Sequence, residues 1–319
     1  MPKNALIGVD IGGTKTAIVI SLQPPSVLER IEFPTKPVQG PEPALRLIKA
    51  GIHDLLSKHK LKAATIGVSC GGPLDHLSGV IQAPPNLSTW VDVPIKAILE
   101  KDFGVTCHLE NDANAGAVAE HRFGAGRGCR NMIFLTMGTG LGAGIIADGR
   151  LYHGANDFAG EIGHVRLTRS GPVGYHKAGS VEGWASGGGM AQVAQKAVET
   201  SLKRNEPTLL AERLERGKPL TARDVALAAR KGDAVAIRIL HSTGKRLGAV
   251  LAILVDILNP DRIVIGGLAM RLGEMLLGPA REVMQREALP HSVAVCQIVP
   301  AELNERIGDV AALCVAMGF

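Results

Sequence analysis

Two stretches of the chain share one pattern of apolar and polar positions. Ile7 to Ile20 and Ile133 to Ile146 each read as an apolar run, a glycine-rich turn and a second apolar run. The first run of each ends on a polar oxygen, Asp10 in one and Thr136 in the other. Such spacing predicts strand–turn–strand hairpins. Each is echoed further along by an apolar strand ending in Gly-Gly, Ile66 to Gly72 and Ile263 to Gly267. A pattern that recurs in the same order predicts two halves of related design. Between the hairpins, Leu45, Ile48, Ile52, Leu55 and Leu56 share one face of a helix expected from Pro43 to Lys60. Short buried strands are expected at Ile66–Ser69 and Val105–Leu109, and Asn111-Asp112 carries helix-capping residues at the start of another helix. Ala234 to Leu258 reads as a long helix stopped by Asn259-Pro260. Strands interleaved with helices define the α/β class. The boundary between halves is expected near residues 116–130, giving domains of 1–117 and 118–304 with a terminal helix, about 305–319, returning to the first.

Composition narrows the function classes. With 46% hydrophobic and 20% charged residues over 319 positions, the chain is neither disordered nor a coiled coil. Its net charge of +5 comes without a dense basic block, and 2 Trp, 2 Tyr and 6 Phe are too few for a base-stacking platform. Nucleic acid is therefore not an expected partner, whereas a small anionic substrate suits the charge. The greasiest stretch, Leu247 to Leu258, is too short to span a bilayer and contains Asp256. Met1 to Asn4 runs straight into strand-like sequence without a signal-peptide pattern, so a cytoplasmic protein is expected, with no membrane partner. Cys70, Cys107, Cys129, Cys296 and Cys314 are scattered and form no C-x-x-C pair. They read as buried small hydrophobes rather than disulfide or metal ligands.

The chemistry lies at the turns. A glycine turn between strands lets backbone N–H groups approach a phosphate without a Cβ in the way. Neither hairpin is a Walker loop or a Rossmann turn, but the pair suits a polyphosphate gripped from two sides. Asp10, at a strand end beside such a turn, is placed to hold Mg²⁺ directly or through water. Asp112, at a helix start, is the candidate general base for an attacking hydroxyl, a role compatible with N-capping by the Asn111-Asp112 pair. Glu161, His164 and Glu182, with Asn111 and Asp112, supply donors and acceptors for several hydroxyls of one polyol, and Asn86 is a further polar candidate. Trp90 reads as packing.

Taken in order, Asp10-Ile-Gly-Gly-Thr-Lys15, Gly71-Gly72-Pro73-Leu-Asp75, Pro85-Asn86-Leu, Glu110-Asn111-Asp112-Ala-Asn114, Gly138-Thr-Gly140-Leu-Gly142, Glu161-Ile-Gly-His164 and Gly266-Gly267 resemble the motif set of the ROK family (repressors, open reading frames, kinases). The resemblance runs from about Leu6 to Gly308. It implies the actin-like, hexokinase-type ATPase fold, with two duplicated α/β domains around a cleft, and a sugar kinase. ATP would contact Asp10, Gly12, Gly13, Thr14 and Lys15 of the first hairpin and Thr136, Gly138, Thr139 and Gly140 of the second, with Gly266 and Gly267 near the adenosine. Mg²⁺ would be held by Asp10 through water. Asp112 would deprotonate the acceptor hydroxyl, usually the 6-hydroxyl of a hexose or N-acyl-hexosamine. Asn111, Glu161, His164 and Glu182 would hold the sugar, with Gly72 and Asn86 at its edge. A homo-oligomer, dimer or tetramer, is expected by analogy.

One departure is visible. Most members hold a structural zinc with the His of E-x-G-H and three Cys, and those Cys positions here carry Val173, Tyr175 and Ser180. No structural zinc is expected, since such a site needs four N or S ligands. His164 must then be oriented by some other partner. Two rival readings remain: a ROK-type sugar-responsive regulator, for which no room is expected before the first strand for a DNA-reading domain, and a catalytically silent sugar-binding protein.

Overall fold

The computed structural model describes residues 3–318. Fourteen strands form among them: β1 (Asn4–Ile11), β2 (Lys15–Ser21), β3 (Glu29–Pro34), β4 (Lys62–Cys70), β5 (Leu74–Asp75), β6 (Val80–Ile81), β7 (Cys107–Asn111), β8 (Met132–Met137), β9 (Leu141–Ala147), β10 (Arg150–Leu151), β11 (Val173–Gly174), β12 (Lys177–Ala178), β13 (Arg262–Gly267) and β14 (Gln297–Pro300). They assemble into two five-stranded sheets, of order β3-β2-β1-β4-β7 and β10-β9-β8-β13-β14, and two small ribbons, β5-β6 and β11-β12.

The repeat read from the sequence is a repeat of topology. In the first sheet β1 pairs antiparallel with β2 and parallel with β4, which in turn runs parallel to β7. In the second, β8 neighbours β9 and pairs parallel with β13, which runs parallel to β14. Each hairpin therefore lends its first strand to the centre of a mixed sheet, and each echo strand, β4 or β13, lies beside it. The third strand of each sheet edge, β3 or β10, was not among the expected elements. In β3 half-buried and exposed residues alternate, as on an edge strand with a single covered face.

The chain divides into two compact units: residues 3–128 with Gly144–Ala159 and 302–318, and Cys129–Ala143 with Gly160–Ala301. Each has its own apolar core. In the first, Ile7, Val9, Ile18, Ile20, Ile48, Ile52, Ile66 and Val68 meet between sheet and helix, and Trp90 is fully buried among them. The helix Pro41–His59 supplies Ile48 and Ile52, the face anticipated from its spacing. In the second, Ile133, Leu135, Ile263 and Ile265 pack against Leu247, Val250, Leu251 and Val255 of the helix Ala234–Leu258. That helix begins where Asp233 accepts the Ala236 N–H and ends where Asn259 turns left-handed.

Two glycines set how tightly the first unit closes. A Cβ on Gly67 would lie 2.1 Å from the backbone nitrogen of Ala316, and one on Gly8 would lie 3.0 Å from Ala312 Cβ. The helix Ile307–Met317 thus rests directly on β1 and β4, and its first turn reaches Asp10.

Candidate active site

The carboxyl ends of the parallel strands β1, β4 and β7 lie side by side, which is where ligands bind in open α/β sheets. The register places Asp10 beside Ser69, and Ser69 beside Glu110. Asp10 is half-buried, and its carboxyl is pushed up to about 6. Burial is the main cause; repulsion from Asp112 and then Asp309 adds to it, and a Ser69 hydrogen bond and Arg30 only partly offset it. The N-terminal turn of the last helix packs against it: a Cβ on Gly308 would stand 2.3 Å from Asp10 Oδ2.

Beyond β7 the chain turns directly into the helix Asp112–Phe123. Asn111 is its N-cap, its Oδ1 accepting from the backbone N–H of Ala113 (2.9 Å) and Asn114 (3.3 Å). Asp112 occupies the first helical position, where its carboxylate also accepts the Ala113 N–H at 2.8 Å. Its side chain reaches solvent, yet the surrounding protein raises its carboxyl above the ordinary range, chiefly by desolvation. A base needs both features, access to a proton and an affinity for it above that of a free carboxylate.

Other expected residues gather here. A Cβ on Gly72 would lie 3.2 Å from Asn111 Nδ2, so the Gly72 segment borders the N-cap. A Cβ on Gly13 would clash with Asn86 at 2.7 Å, which seats the first glycine turn on the segment holding Asn86. That turn is closed by Gly12 N–H to Lys15 O (3.0 Å) and braced by Thr35, whose hydroxyl donates to Gly12 O at 2.7 Å. Thr14 is exposed, and Lys15 points to Glu32 at 2.9 Å. A Mg²⁺ ion carried by nucleotide needs one or two carboxylates besides phosphate oxygens and water, and Asp10 is a hard-oxygen donor of that kind.

The second unit builds its own constellation. Its glycine turn is closed by Gly138 N–H to Gly140 O (3.0 Å), and Gly138 O and Thr139 O accept from Gly187 N–H (2.8 Å) and Gly188 N–H (3.0 Å). Gly138, Thr139 and Gly267 line one cavity of about 470 Å³, together with Leu220, Thr221, Arg223, Leu268 and Arg271. The last five were not anticipated; they come from segments with no phosphate-turn signature. Thr221 caps the helix Ala222–Arg230 in a capping box with Asp224, a local signal that marks the helix start but not the cavity. Gly266 is buried, its Cα facing the Phe134 ring, while Gly267 has a positive φ of 69° and sits against Met137 O. Thr136 is half-buried at the end of β8.

Glu182 meets this turn directly, accepting the Leu141 N–H at 3.1 Å. Gly163 sits against both Leu141 O and Glu182, bringing the Glu161–His164 segment to the same place. Glu161 and His164 are exposed. His164 stands edge-on to Tyr175 with ring centroids 5.3 Å apart, and its carbonyl accepts from Lys177 Nζ at 2.7 Å.

The segment 171–184 does not fit a zinc ion. Ser180 is buried, donating to Gly174 O (3.3 Å) and accepting the Gly183 N–H (3.1 Å). Val173 is held through both backbone groups by the Gln192 amide, at 2.9 and 2.8 Å. Gly171 lies against Trp184, whose indole N–H donates to Thr168 Oγ1 at 2.7 Å and whose ring lies under Arg246 at 4.7 Å. Among the described residues no group of three or more His, Cys, Asp or Glu side chains is arranged to hold a metal ion. None of their helices is long and apolar enough to cross a membrane.

Two related α/β sheets, each with a glycine turn after its central strand, define a protein of the hexokinase-type class. The ROK family model matches residues 6–317, and the chain belongs to that family. It is 36% identical over 313 residues to a glucokinase of Halalkalibacterium halodurans, covering 95% of this chain and 92% of the relative. It is also 30% identical over 321 residues to a xylose repressor of Caldicellulosiruptor bescii, covering 98% of this chain and 77% of the repressor. A ROK family glucokinase from Streptomyces griseus, solved in complex with glucose and AMPPNP, superposes with a TM-score of 0.79 at 31% identity, over 99% of this chain and 100% of that one.

Proposed function

We propose that the chain is an ATP-dependent sugar kinase that phosphorylates a hexose or N-acyl-hexosamine, at the 6-hydroxyl, with Asp112 as general base. The observation that carries this reading is the position of Asp112. It stands on the first turn of a helix, at the end of a parallel strand, with Asn111 beside it and its proton affinity raised. A carboxylate so held can take the proton of a hydroxyl as that oxygen attacks phosphorus. Phosphoryl transfer asks little more of a protein than positioning and charge neutralisation. Bound Mg²⁺ would neutralise phosphate charge, with Asp10 holding one of its waters. The 470 Å³ cavity reached by Gly138, Thr139 and Gly267 suits a nucleoside, and Arg223 on its wall suits an anion. Asn111, Glu161, His164 and Glu182 would bind sugar hydroxyls, with Gly72 and Asn86 at the rim. The glucokinase relatives support glucose as the first sugar to try.

The test is coupled ADP release over glucose, mannose, fructose, allose, N-acetylglucosamine and N-acetylmannosamine, with wild type and Asp112→Asn. The variant should lose roughly 10²–10⁴-fold in kcat while still binding the sugar. Near-normal turnover by Asp112→Asn would remove the base assignment. The repressor relative favours a second reading, a sugar-responsive regulator. Sequence-specific binding to an operator by a chain that phosphorylates none of these sugars would establish it instead.

A further inference from the structure

Behind the Asn111-Asp112 turn lies a side-chain network that the kinase reading does not use. Glu110 is 1% exposed, and its carboxylate accepts three hydrogen bonds. Oε1 takes the Asn111 N–H (2.9 Å) and Asn114 Nδ2 (3.0 Å); Oε2 takes His153 Nε2 (2.8 Å). His153 follows β10, in a loop closed by Ala159 N–H to His153 O at 3.1 Å. Its ring stacks on that of His76, centroids 4.2 Å apart and planes within 7°. His76 belongs to the β5-β6 ribbon, four residues beyond Gly72. Asp157 lies on its far side: Oδ2 accepts the backbone N–H of His76 at 3.1 Å and stands 2.7 Å from Nδ1, which makes no hydrogen bond of its own. Asp157 itself has a left-handed φ of 69°.

We propose that this stack, clamped between two carboxylates, is a positioning device for the base. His153 fixes Glu110, Glu110 fixes both the N–H that enters the turn and the Asn114 side chain one turn later, and His76 ties the Gly72 segment to the same point. His153 and Glu110 are thus positioning residues that act through the Asn111-Asp112 turn. The inference rests on the reading of Asp112 as the base.

Three features favour this over a merely structural contact. A buried carboxylate stripped of one donor exerts its unmet demand on whatever it still holds, here the turn itself. The network joins three segments distant in the chain, and two of them border expected sugar-side residues, Gly72 and Asn111. The hydrogen bond to Glu110 also raises the proton affinity of His153, which strengthens the clamp. The groups facing the pair are Glu110 and Asp157, and both favour the protonated form of His153.

Two substitutions separate the parts. His153→Phe keeps a ring for the stack and removes the donor; His153→Gln restores an N–H where Nε2 stood and removes the ring. His153→Phe should lower kcat roughly 10- to 100-fold with the sugar KM changed less than about threefold, as expected of a base displaced by a fraction of an ångström. His153→Gln should recover most of that loss. A His153→Phe enzyme with kcat within about twofold of wild type, or a Gln variant as impaired as Phe, would overturn the proposal. Hydrogen exchange provides a readout independent of turnover. In His153→Phe, amides 111–116 should exchange about tenfold faster while those of the helix Pro41–His59 do not change. Unchanged exchange at 111–116 would overturn the positioning role even if the wild type phosphorylated no sugar. Faster exchange in an inactive wild type would leave the device standing and remove only the kinase reading.

Discussion

Asp10→Asn offers the sharpest test of the electrostatics at the strand ends. The Asp10 carboxyl stands at about 6 rather than 3.8, so its ionised form is disfavoured in the folded chain by about 2 pH units. At roughly 1.4 kcal/mol per unit this is about 3 kcal/mol, an upper bound because the side chain is partly open to water. The sign follows from linkage. The folded state holds this proton more tightly than the unfolded state does, so stability falls as pH rises from about 4 to about 6, and the full penalty is present above that. Asparagine keeps the size and can still bond Ser69, but carries no charge. Without nucleotide or Mg²⁺, Asp10→Asn should therefore melt higher than wild type at pH 7.5, by roughly 3–8 °C for a domain of this size. The difference should shrink to about zero near pH 4. Differential scanning calorimetry across that range measures it. A variant less stable than wild type at pH 7.5, or a difference independent of pH, would refute the argument. In the kinase reading the same variant loses phosphoryl transfer, so a residue that weakens the fold would be retained for its chemistry.

Other expectations follow from packing and donor chemistry. Gly67→Ala should cost about 3 kcal/mol or more, read by urea titration, because its Cβ would fall 2.1 Å from the Ala316 nitrogen and the last helix would have to lift. Metal analysis should find no stoichiometric zinc, and a strong chelator should leave the melting temperature unchanged. Ser180→Ala should lower stability by about 1–3 kcal/mol, since it removes the acceptor of the buried Gly183 N–H. Arg223→Ala, on the wall of the 470 Å³ cavity, should raise the KM for ATP about tenfold and leave the sugar KM unchanged; the reverse pattern would reassign the cavity.

Much of the fold was legible because its signals are local. The helix Ala234–Leu258 matches the expected bounds residue for residue, since Asp233 and Asn259 are caps that act within one turn. The strands around both glycine turns were legible for the same reason: alternation and glycine act over two or three residues. The shared order of the two sheets was implied by the repeat, and the edge strand β7 by its apolar run, but not the edge strands β3, β10 and β14. β10 is two residues long, too short to carry a pattern.

The candidate sites divide in the same way. Asn111 and Asp112 were readable because an N-cap pair at a strand-to-helix junction is a local device, and Gly138, Thr139 and Gly267 because their glycines mark a turn and a strand end. Nothing local marks Arg223 as a cavity wall, nor His76, His153 and Asp157 as one cluster with Glu110. By itself the sequence determined where strands turn, where helices cap and which oxygens stand at those places. It also determined that no thiolate fills the positions of Val173, Tyr175 and Ser180. Only the tertiary structure decided that Asp10 is strained by its neighbours, that Ser180 and Gln192 hold the segment a metal would otherwise organise, and that two histidines 77 positions apart stack behind the proposed base. The physical reason is range. Caps and turns are settled by backbone groups a few residues away, whereas burial, repulsion and ring stacking depend on which distant segments the folded sheets bring together.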